Sequence, residues 1–290
     1  MNNELSMLEA INTWGDYKAK VREFDAVLEH GKATSAALAG FTSPSVQARC
    51  GGLIYVKLVS HCVALRSLAA QSGERTVKDL LDMPSMSALA RCAVEAHDAF
   101  EYIAGHDVTD SERGFRIQLW ELHDATRRLK MFGDMGAVDP RVDAIRADLA
   151  RRQAALEAHA FFASLHADLQ AALRQRMAKG DSPAFHLGQR QRCALSGVNA
   201  DWHNAVTLQL SQQVHTLPSS VQLPLDVQPG TTEALRLMAL PLLFTLPFLA
   251  RATLSTAHLI PERAPEPPSR TARTMAWWRA LAEQGTQSRE

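Results

Sequence analysis

The chain has 290 residues, with 31 basic and 31 acidic side chains and a formal net charge of zero. A hydrophobic content of 46% is enough to form a core, which excludes an intrinsically disordered protein. A neutral chain has no long-range attraction for phosphate, which excludes a generally basic protein that coats nucleic acid. What remains is a globular protein with one large domain or two small ones.

The pattern of apolar residues predicts helices along almost the whole chain. Alanine, leucine, arginine and glutamine are frequent, and alternating runs of β-branched residues are absent. In chain order, we expect helices at about 4–38, from a Ser43-Pro44 cap to 70, and at 85–104, 109–132, 139–178 and 199–215. A short segment at 77–83 precedes Pro84. A proline-containing loop at 216–232, an apolar segment at 237–250 and a short terminal helix follow.

This order predicts an all-α protein, a helical bundle of about seven principal helices. We divide it into an N-terminal helix at 1–42, a helical domain at 43–260, and a Pro-rich linker with a C-terminal helix at 261–290. The terminal helix carries Trp277 and Trp278. Two exposed tryptophans would anchor a partner, whereas the simpler expectation is that one indole packs on the rest of the chain.

The N-terminal segment and the cysteines predict a protein of the reducing cytoplasm. The first residues contain neither a basic nor an apolar stretch of the kind that signal peptides have. The four cysteines fit neither a zinc site nor a disulfide framework, so we expect small buried thiols. They are Cys50, Cys62, Cys92 and Cys193.

The apolar segment at 237–250 raises the question of a membrane span. It lies between Arg236 and Arg251 and contains Pro241 and Pro247. A span needs about 20 apolar residues, and this segment is shorter. We therefore expect a buried core helix and no membrane span, with interfacial membrane contact as the alternative.

The predicted helix at 109–132 carries a polar ridge beside its core stripe. Its start fits a capping box formed by Thr109 and Glu112. Arginines close to an aromatic ring can bind phosphate and stack on a base, but their stems can equally cover the edge of a core. The side chains of the ridge are Arg113, Arg116, Trp120, His123 and Arg127.

Two further helices carry polar pairs one turn apart. Arg91 and Glu95 can form an ion pair, which on a solvated face contributes little to stability. Ser211 and His215 can form a hydroxyl–imidazole hydrogen bond. Because no acid partner or oxyanion loop accompanies them, serine catalysis is disfavoured and a structural bond is the simpler interpretation.

The succession of these segments resembles a large uncharacterised family of bacterial all-helical proteins that are often grouped with HEPN-like domains. The resemblance covers about 43–260 and rests on SALARCAVEAHDAFEYIAG, ERGFRIQLWELHDATRRLK and NAVTLQLSQQVHTLPSSVQ. It implies that Arg91 and Glu95 face inward and meet Ser211 and His215. Many HEPN proteins are RNases of toxin–antitoxin, abortive-infection or CRISPR systems, and they usually act as dimers.

The RNase signature of that family is an arginine followed by a histidine after four to six residues. Pairs with this spacing are Arg91–His97, Arg116–His123, Arg152–His159 and Arg251–His258. No arginine stands at this distance before His215, where Gln209 occupies the position, and this argues against metal-independent RNase activity at His215. Arg116 and His123 are the best replacement, because Trp120 and Arg127 lie on the same ridge.

These observations lead to two functional hypotheses for a cytoplasmic bacterial protein. In the first, the chain binds or cleaves RNA or a nucleotide without a metal or cofactor, in phage defence or as a toxin. His123 or His215 would be the general acid or base, Arg116 or Arg91 would hold the phosphate, and Glu95, Trp120, Arg127 and Ser211 would complete the site. In the second, the chain is a non-catalytic scaffold that docks a partner or forms a homodimer through the helix at 139–178 or the Trp277–Trp278 helix.

Overall fold

The computed structural model describes residues 8–40, 45–69, 82–136 and 139–285. Within these ranges the chain forms twelve α-helices and no β-strand, which confirms the all-α prediction. A π-helix, Glu101–Gly105, follows α3. The helices are α1 (Trp14–Ala37), α2 (Val46–Leu68), α3 (Met83–Phe100), α4 (Asp110–Asp134), α5 (Pro140–Glu157), α6 (Ala160–Ser164), α7 (Ala167–Ala178), α8 (Gln189–Ser196), α9 (Ala200–Val214), α10 (Pro218–Asp226), α11 (Thr232–Leu259) and α12 (Ser269–Gln284).

Several helices begin at side-chain caps, because a short polar side chain can accept the hydrogen bonds that the first backbone amides otherwise lack. Thr109 caps α4 by accepting from the amide of Glu112, which is one half of the predicted capping box, while the Glu112 carboxylate accepts from Arg116. Asn199 caps α9 in the same manner. The observed cap of α2 is Ser45, whereas the predicted Ser43-Pro44 cap lies outside the described residues.

The long helix predicted at 139–178 is wrong, because the chain breaks it into α5, α6 and α7. His159 and His166 stand at the two breaks with extended backbone φ and ψ angles. The Nδ1 atom of each ring accepts a hydrogen bond from the backbone amide two residues later, at 3.2 Å for Phe161 and 3.4 Å for Asp168. Each histidine therefore caps the helix that follows it.

The loop predicted at 216–232 is also wrong in its first half. Residues Pro218–Asp226 form α10, with Pro218 in the first turn, where a missing amide hydrogen costs nothing. The short helix α8 was not predicted. The linker before α12 has no helix over 261–268, as expected from its prolines.

The chain divides into two compact units. The larger unit comprises residues 1–101 and 192–290, and the smaller comprises 102–191. This division differs from the predicted boundaries at 42 and 260, because α1 and α12 both pack against α11 within the larger unit. The terminal helix belongs to the core, since Trp278 is fully buried, while Trp277 is 47% exposed.

The apolar segment becomes the central helix of the larger unit. α11 contacts α1, α2, α3 and α12, and every residue from Leu242 to Ala250 is buried. It contains Pro241 and Pro247 within one continuous helix. By length and composition alone, α2 and α11 would each pass for a membrane span, with 56% and 83% of the apolar window buried.

α1 and α2 approach α11 closely at one point. The hydroxyl of Tyr55 donates to the carbonyl of Gly31 at 3.1 Å and lies 2.9 Å from Oγ1 of Thr253. A glycine at position 31 leaves room for this contact, since a Cβ atom there would lie 3.3 Å from the Tyr55 hydroxyl. The three helices are therefore tied together by a buried hydrogen-bond network.

The smaller unit is built on α4. Its amphipathic face packs against α5 and α6, and Phe115, Leu119 and Leu122 of the apolar stripe predicted on α4 enter the core. The buried members of this core are Phe115, Leu119, Leu122, Leu156, Phe162, Leu173 and Met177. This packing fixes which side of α4 turns towards solvent.

Candidate functional site

A groove of about 620 Å³ runs along the polar side of α4 in the smaller unit. We call it the α4 groove. Three of the predicted site residues, Trp120, His123 and Arg127, line it together. The other lining residues are Glu121, Asp124, Ala125, Arg128, Ile145, Asp148 and Arg152.

His123 is held in one orientation at the edge of this groove. Its Nδ1 lies 2.6 Å from the carbonyl oxygen of Ser182. A carbonyl oxygen only accepts, so Nδ1 carries the hydrogen and donates it. In the neutral ring Nε2 is then the unprotonated nitrogen, and it has no hydrogen-bond partner in the described ranges of the chain. The arrangement leaves a free imidazole base on a fixed ring.

Most charges of the α4 groove are already paired with one another. Arg152 donates to Asp148 and to Glu121, at 2.6 Å in each case. The bond from Arg152, with a further one from Arg151, lowers the pKa of the Asp148 carboxyl. Arg128 lies 3.9 Å from Asp124. These side chains form a balanced network in which little net positive charge remains.

Arg127 differs from the other arginines of the groove. Its side chain is exposed and forms no ion pair with any carboxylate of the described residues. It also lines a neighbouring groove of about 650 Å³, which includes Lys130, Lys179 and Ser182. Arg127 is therefore the guanidinium that an incoming anion would meet first in the α4 groove.

The structure corrects the expectation for Arg116, which lies in the interior and not in the groove. Its side chain is 0% exposed. Nε donates to Glu112 at 2.9 Å, and Nη1 donates to the carbonyl of Tyr102 at 3.0 Å. The same nitrogen lies 2.9 Å from Nδ1 of His106. With its donors used inside the protein, Arg116 has a structural role and cannot reach a substrate phosphate.

A second buried histidine belongs to this interior network. Nδ1 of His186 lies 2.7 Å from the hydroxyl of Tyr102, and the backbone amide of His186 donates to the same hydroxyl. The hydroxyl thus accepts from the amide and donates to the ring. Burial, together with the nearby Arg116 guanidinium, lowers the pKa of His186 to about 4. His186 is therefore neutral near pH 7, a role that the sequence did not suggest.

In the larger unit, three of the four residues implied by the family resemblance come together. Nη2 of Arg91 forms an ion pair with Glu95 at 2.9 Å, and Nε of Arg91 lies 3.4 Å from Oγ of Ser211. The carboxylate of Glu95 is 62% exposed. His215 ends α9, and its exposed ring makes no contact that ties it to Arg91 within the described part of the chain.

A buried acid–histidine cluster in the same unit escaped sequence analysis. Asp98 accepts from Nε2 of His203 at 2.9 Å and lies 3.5 Å from Nδ1 of His97. Nε2 of His97 lies 3.8 Å from Glu101, which itself accepts from Ser255. His97 and Asp98 are adjacent in sequence, but His203 and Ser255 reach them from α9 and α11. Only the tertiary fold brings these groups together.

The donor sets of the described residues do not favour a metal. No group of three or more His, Cys, Asp or Glu side chains in these ranges could hold an ion. All four cysteines are free thiols, and burial raises the pKa of Cys62 far above its ordinary value.

No protein-family model, curated protein or solved structure matches this chain. The resemblance to HEPN-like proteins therefore stays a prediction.

Proposed function

We propose that the smaller unit binds RNA in the α4 groove, and that His123 acts there as general base or acid. One observation carries the proposal. The bond from Nδ1 of His123 to the Ser182 carbonyl leaves Nε2 as a fixed free base, in a groove shared with Trp120 and Arg127. A positioned imidazole, an indole and a free guanidinium are the groups that strand recognition and phosphate chemistry use.

The three side chains have separate tasks. Trp120 offers a surface for stacking of an unpaired base, and Arg127 donates to a phosphate oxygen. Nε2 of His123 takes the proton of a 2′-hydroxyl as that oxygen bonds to the adjacent phosphorus. The bond from phosphorus to the leaving 5′-oxygen breaks, and that oxygen takes a proton from water. The products are a 2′,3′-cyclic phosphate and a 5′-hydroxyl end.

The charge balance of the groove sets an expectation for affinity. Because Arg127 is the free cation and the other arginines are paired, few counterions are released when RNA binds. We expect weak binding whose logarithm falls with the logarithm of the salt concentration at a slope of about −0.7, the value for a single phosphate contact on a single strand. A steep slope would point to a different and more basic surface.

The test is RNA binding and cleavage by wild type, His123→Ala and His123→Gln. The glutamine variant keeps an amide donor for Ser182 but removes the titratable nitrogen, so binding should persist while cleavage is lost. His215→Ala should leave cleavage unchanged, since His215 lies in the larger unit. Arg127→Gln should weaken binding, whereas Arg146→Gln is the matched control, an exposed arginine of α5 outside the groove.

Cleavage that both His123 variants retain would end the acid–base proposal. Absence of RNA binding by the wild type would end the proposed function as a whole. The second candidate function would then take its place.

That second candidate is a non-catalytic interaction protein. The observation in its favour is a set of exposed apolar side chains on α9, on α10 and on the turn between them. Large exposed apolar patches commonly mark protein interfaces. Their exposed fractions are 58% for Leu208, 42% for Val214, 41% for Leu217, 58% for Val221 and 84% for Leu225. Light scattering on wild type and on Val221→Glu with Leu225→Glu tests it, because a self-associating chain should lose mass in the double variant.

A further inference from the structure

Another groove, of about 570 Å³, lies between α1 and α12 in the larger unit. We call it the α1–α12 groove. On the α1 side, the small side chains of Ala19 and Ala26 keep the groove open. Arg22 lies between them on the same face of α1, three residues from Ala19 and four from Ala26. The remaining lining residues are Lys20, Glu23, Arg270, Thr271, Arg273, Thr274, Trp277 and Trp278.

The α1–α12 groove has an excess of positive charge. Four of its side chains are cationic and Glu23 is the carboxylate that faces them. Glu23 pairs with Lys20 at 2.9 Å. Arg22, Arg270 and Arg273 form no ion pair with any carboxylate in the described parts of the chain. Three free guanidiniums in one groove attract an anion that carries more than one charge.

An indole stands on the same face as two of these guanidiniums. Arg270, Arg273 and Trp277 are spaced by three and four residues, which places them on one side of α12. Trp277 is 47% exposed, and its ring meets the buried Trp278 ring edge-on, with centroids 4.7 Å apart. Trp278 is fixed in the core, so the contact holds the exposed indole in place.

From this combination we propose that the α1–α12 groove binds a nucleoside polyphosphate. Guanidiniums donate pairwise to phosphate oxygens, and an indole stacks on a planar base. The groove volume is in the range of small-molecule sites, of roughly 300–1,000 Å³. An acidic peptide would satisfy the arginines but would stack on Trp277 only where it also carries an aromatic side chain, whereas every nucleotide joins a planar base to its phosphates.

This site is independent of the RNA proposal, since it lies in the other unit. Its ligand is a free nucleotide, which carries both the base and the charge. The two proposals can therefore fail separately.

The test uses ATP that carries a fluorescent label on its ribose. The full chain is added in increasing amounts, and the fluorescence anisotropy of the labelled ATP measures binding. We expect saturable binding that weakens with added salt. Arg270→Gln with Arg273→Gln should weaken it by about ten-fold or more, because two charge-assisted contacts are lost. Trp277→Leu should weaken it by roughly five-fold or more through loss of stacking.

Matched controls separate a specific site from general charge. Arg49→Gln removes an exposed arginine of α2 that lies outside the groove, and this variant should not change ATP binding. Arg22→Gln changes the α1 wall of the groove and should weaken ATP binding while leaving both tryptophans in place. This variant therefore tests the site even if Trp277→Leu fails to fold.

Competition then identifies the ligand class. Unlabelled ATP should displace the probe well, tripolyphosphate less well, and adenosine poorly, because base and phosphates each contribute. Failure of the wild type to bind, or equal binding by the groove variants and controls, would overturn the proposal. Tighter binding of poly-glutamate or of a single-stranded oligonucleotide to the same arginines would overturn it too.

Discussion

Nε2 of His203 lies 2.9 Å from Oδ1 of Asp98 inside the larger unit, although 105 residues separate them in sequence. The side chain of Asp98 is 19% exposed and that of His203 is 4% exposed. Burial alone would raise the pKa of Asp98, but the hydrogen bond from His203 and the nearby ring of His97 outweigh it and hold that pKa well below its ordinary value. The carboxylate is therefore ionised at all moderate pH values and joins α3 to α9.

We expect Asp98→Asn to lower the free energy of unfolding by about 2 kcal/mol at pH 7, because a charged hydrogen bond is replaced by a neutral one. The pKa of Asp98 in the folded state lies below the unfolded value of about 3.9. The stabilisation by the Asp98 carboxylate is therefore fully present above about pH 3.9 and is lost as the pH falls below that value. Urea unfolding at pH 7 and at pH 3 measures both effects. Glu95→Gln, on an exposed carboxylate of the same helix, should change stability by less than about 0.5 kcal/mol.

A second prediction concerns the two arginines of α4 that lie on one predicted ridge. Arg116→Gln should destabilise the smaller unit by about 3–5 kcal/mol, since it leaves the partly buried Glu112 without its cation. Arg127→Gln should have almost no effect on stability, because its side chain is exposed and unpaired in the described structure. Hydrogen exchange of α4 peptides measures the opening free energy in each variant. Equal stability of the two variants would contradict the assignment of Arg116 to the interior.

The contrast between these arginines shows how far the sequence of α4 is informative. Its Thr109 cap, its approximate length and the buried positions Phe115, Leu119 and Leu122 follow from local pattern and are observed. Helical periodicity also places Arg116 next to the stripe. It does not show that Glu112, Tyr102 and His106 would enclose that guanidinium, because the last two precede the helix and reach it through the turn.

The errors in secondary structure have equally specific causes. Histidine is not a usual cap, so the sequence at 139–178 gives no signal for a break, yet His159 and His166 cap the helices that follow. Prolines suggested a loop at 216–232, although a proline in the first turn begins α10. The Asp98–His203 pair had no local signal at all, since its partners come from helices far apart in the chain.

A third prediction tests the close approach of α1, α2 and α11. Alanine stabilises a helix interior by about 1 kcal/mol relative to glycine. At position 31 the new Cβ would lie 3.3 Å from the Tyr55 hydroxyl, which two hydrogen bonds hold in place. We therefore expect Gly31→Ala to destabilise the protein by about 1–2 kcal/mol in thermal unfolding. Gly133→Ala in α4 meets nothing within 4 Å and should be neutral or stabilising.

The last prediction uses His186 as an internal pH sensor of the smaller unit. Its pKa is about 4 in the folded chain, lowered by burial and by Arg116, against about 6.5 when unfolded. As the pH falls, the unfolded state therefore binds the proton before the folded state does. The contribution of His186 to the free energy of unfolding is fully present above about pH 6.5. It is lost as the pH drops towards about 4, and the total loss is about 3 kcal/mol.

His186→Asn removes the titratable ring but keeps an acceptor for the Tyr102 hydroxyl, so its stability should vary less over this range. His166→Asn is the control, because that ring is 79% exposed and asparagine is itself a good helix cap. Hydrogen exchange of α4 peptides at pH 7 and at pH 5, corrected for intrinsic exchange rates, gives the local opening free energies. If His186→Asn lost as much stability on acidification as wild type and His166→Asn, another group would have to bind the proton, and the neutral, hydrogen-bonded state assigned to His186 would be incorrect.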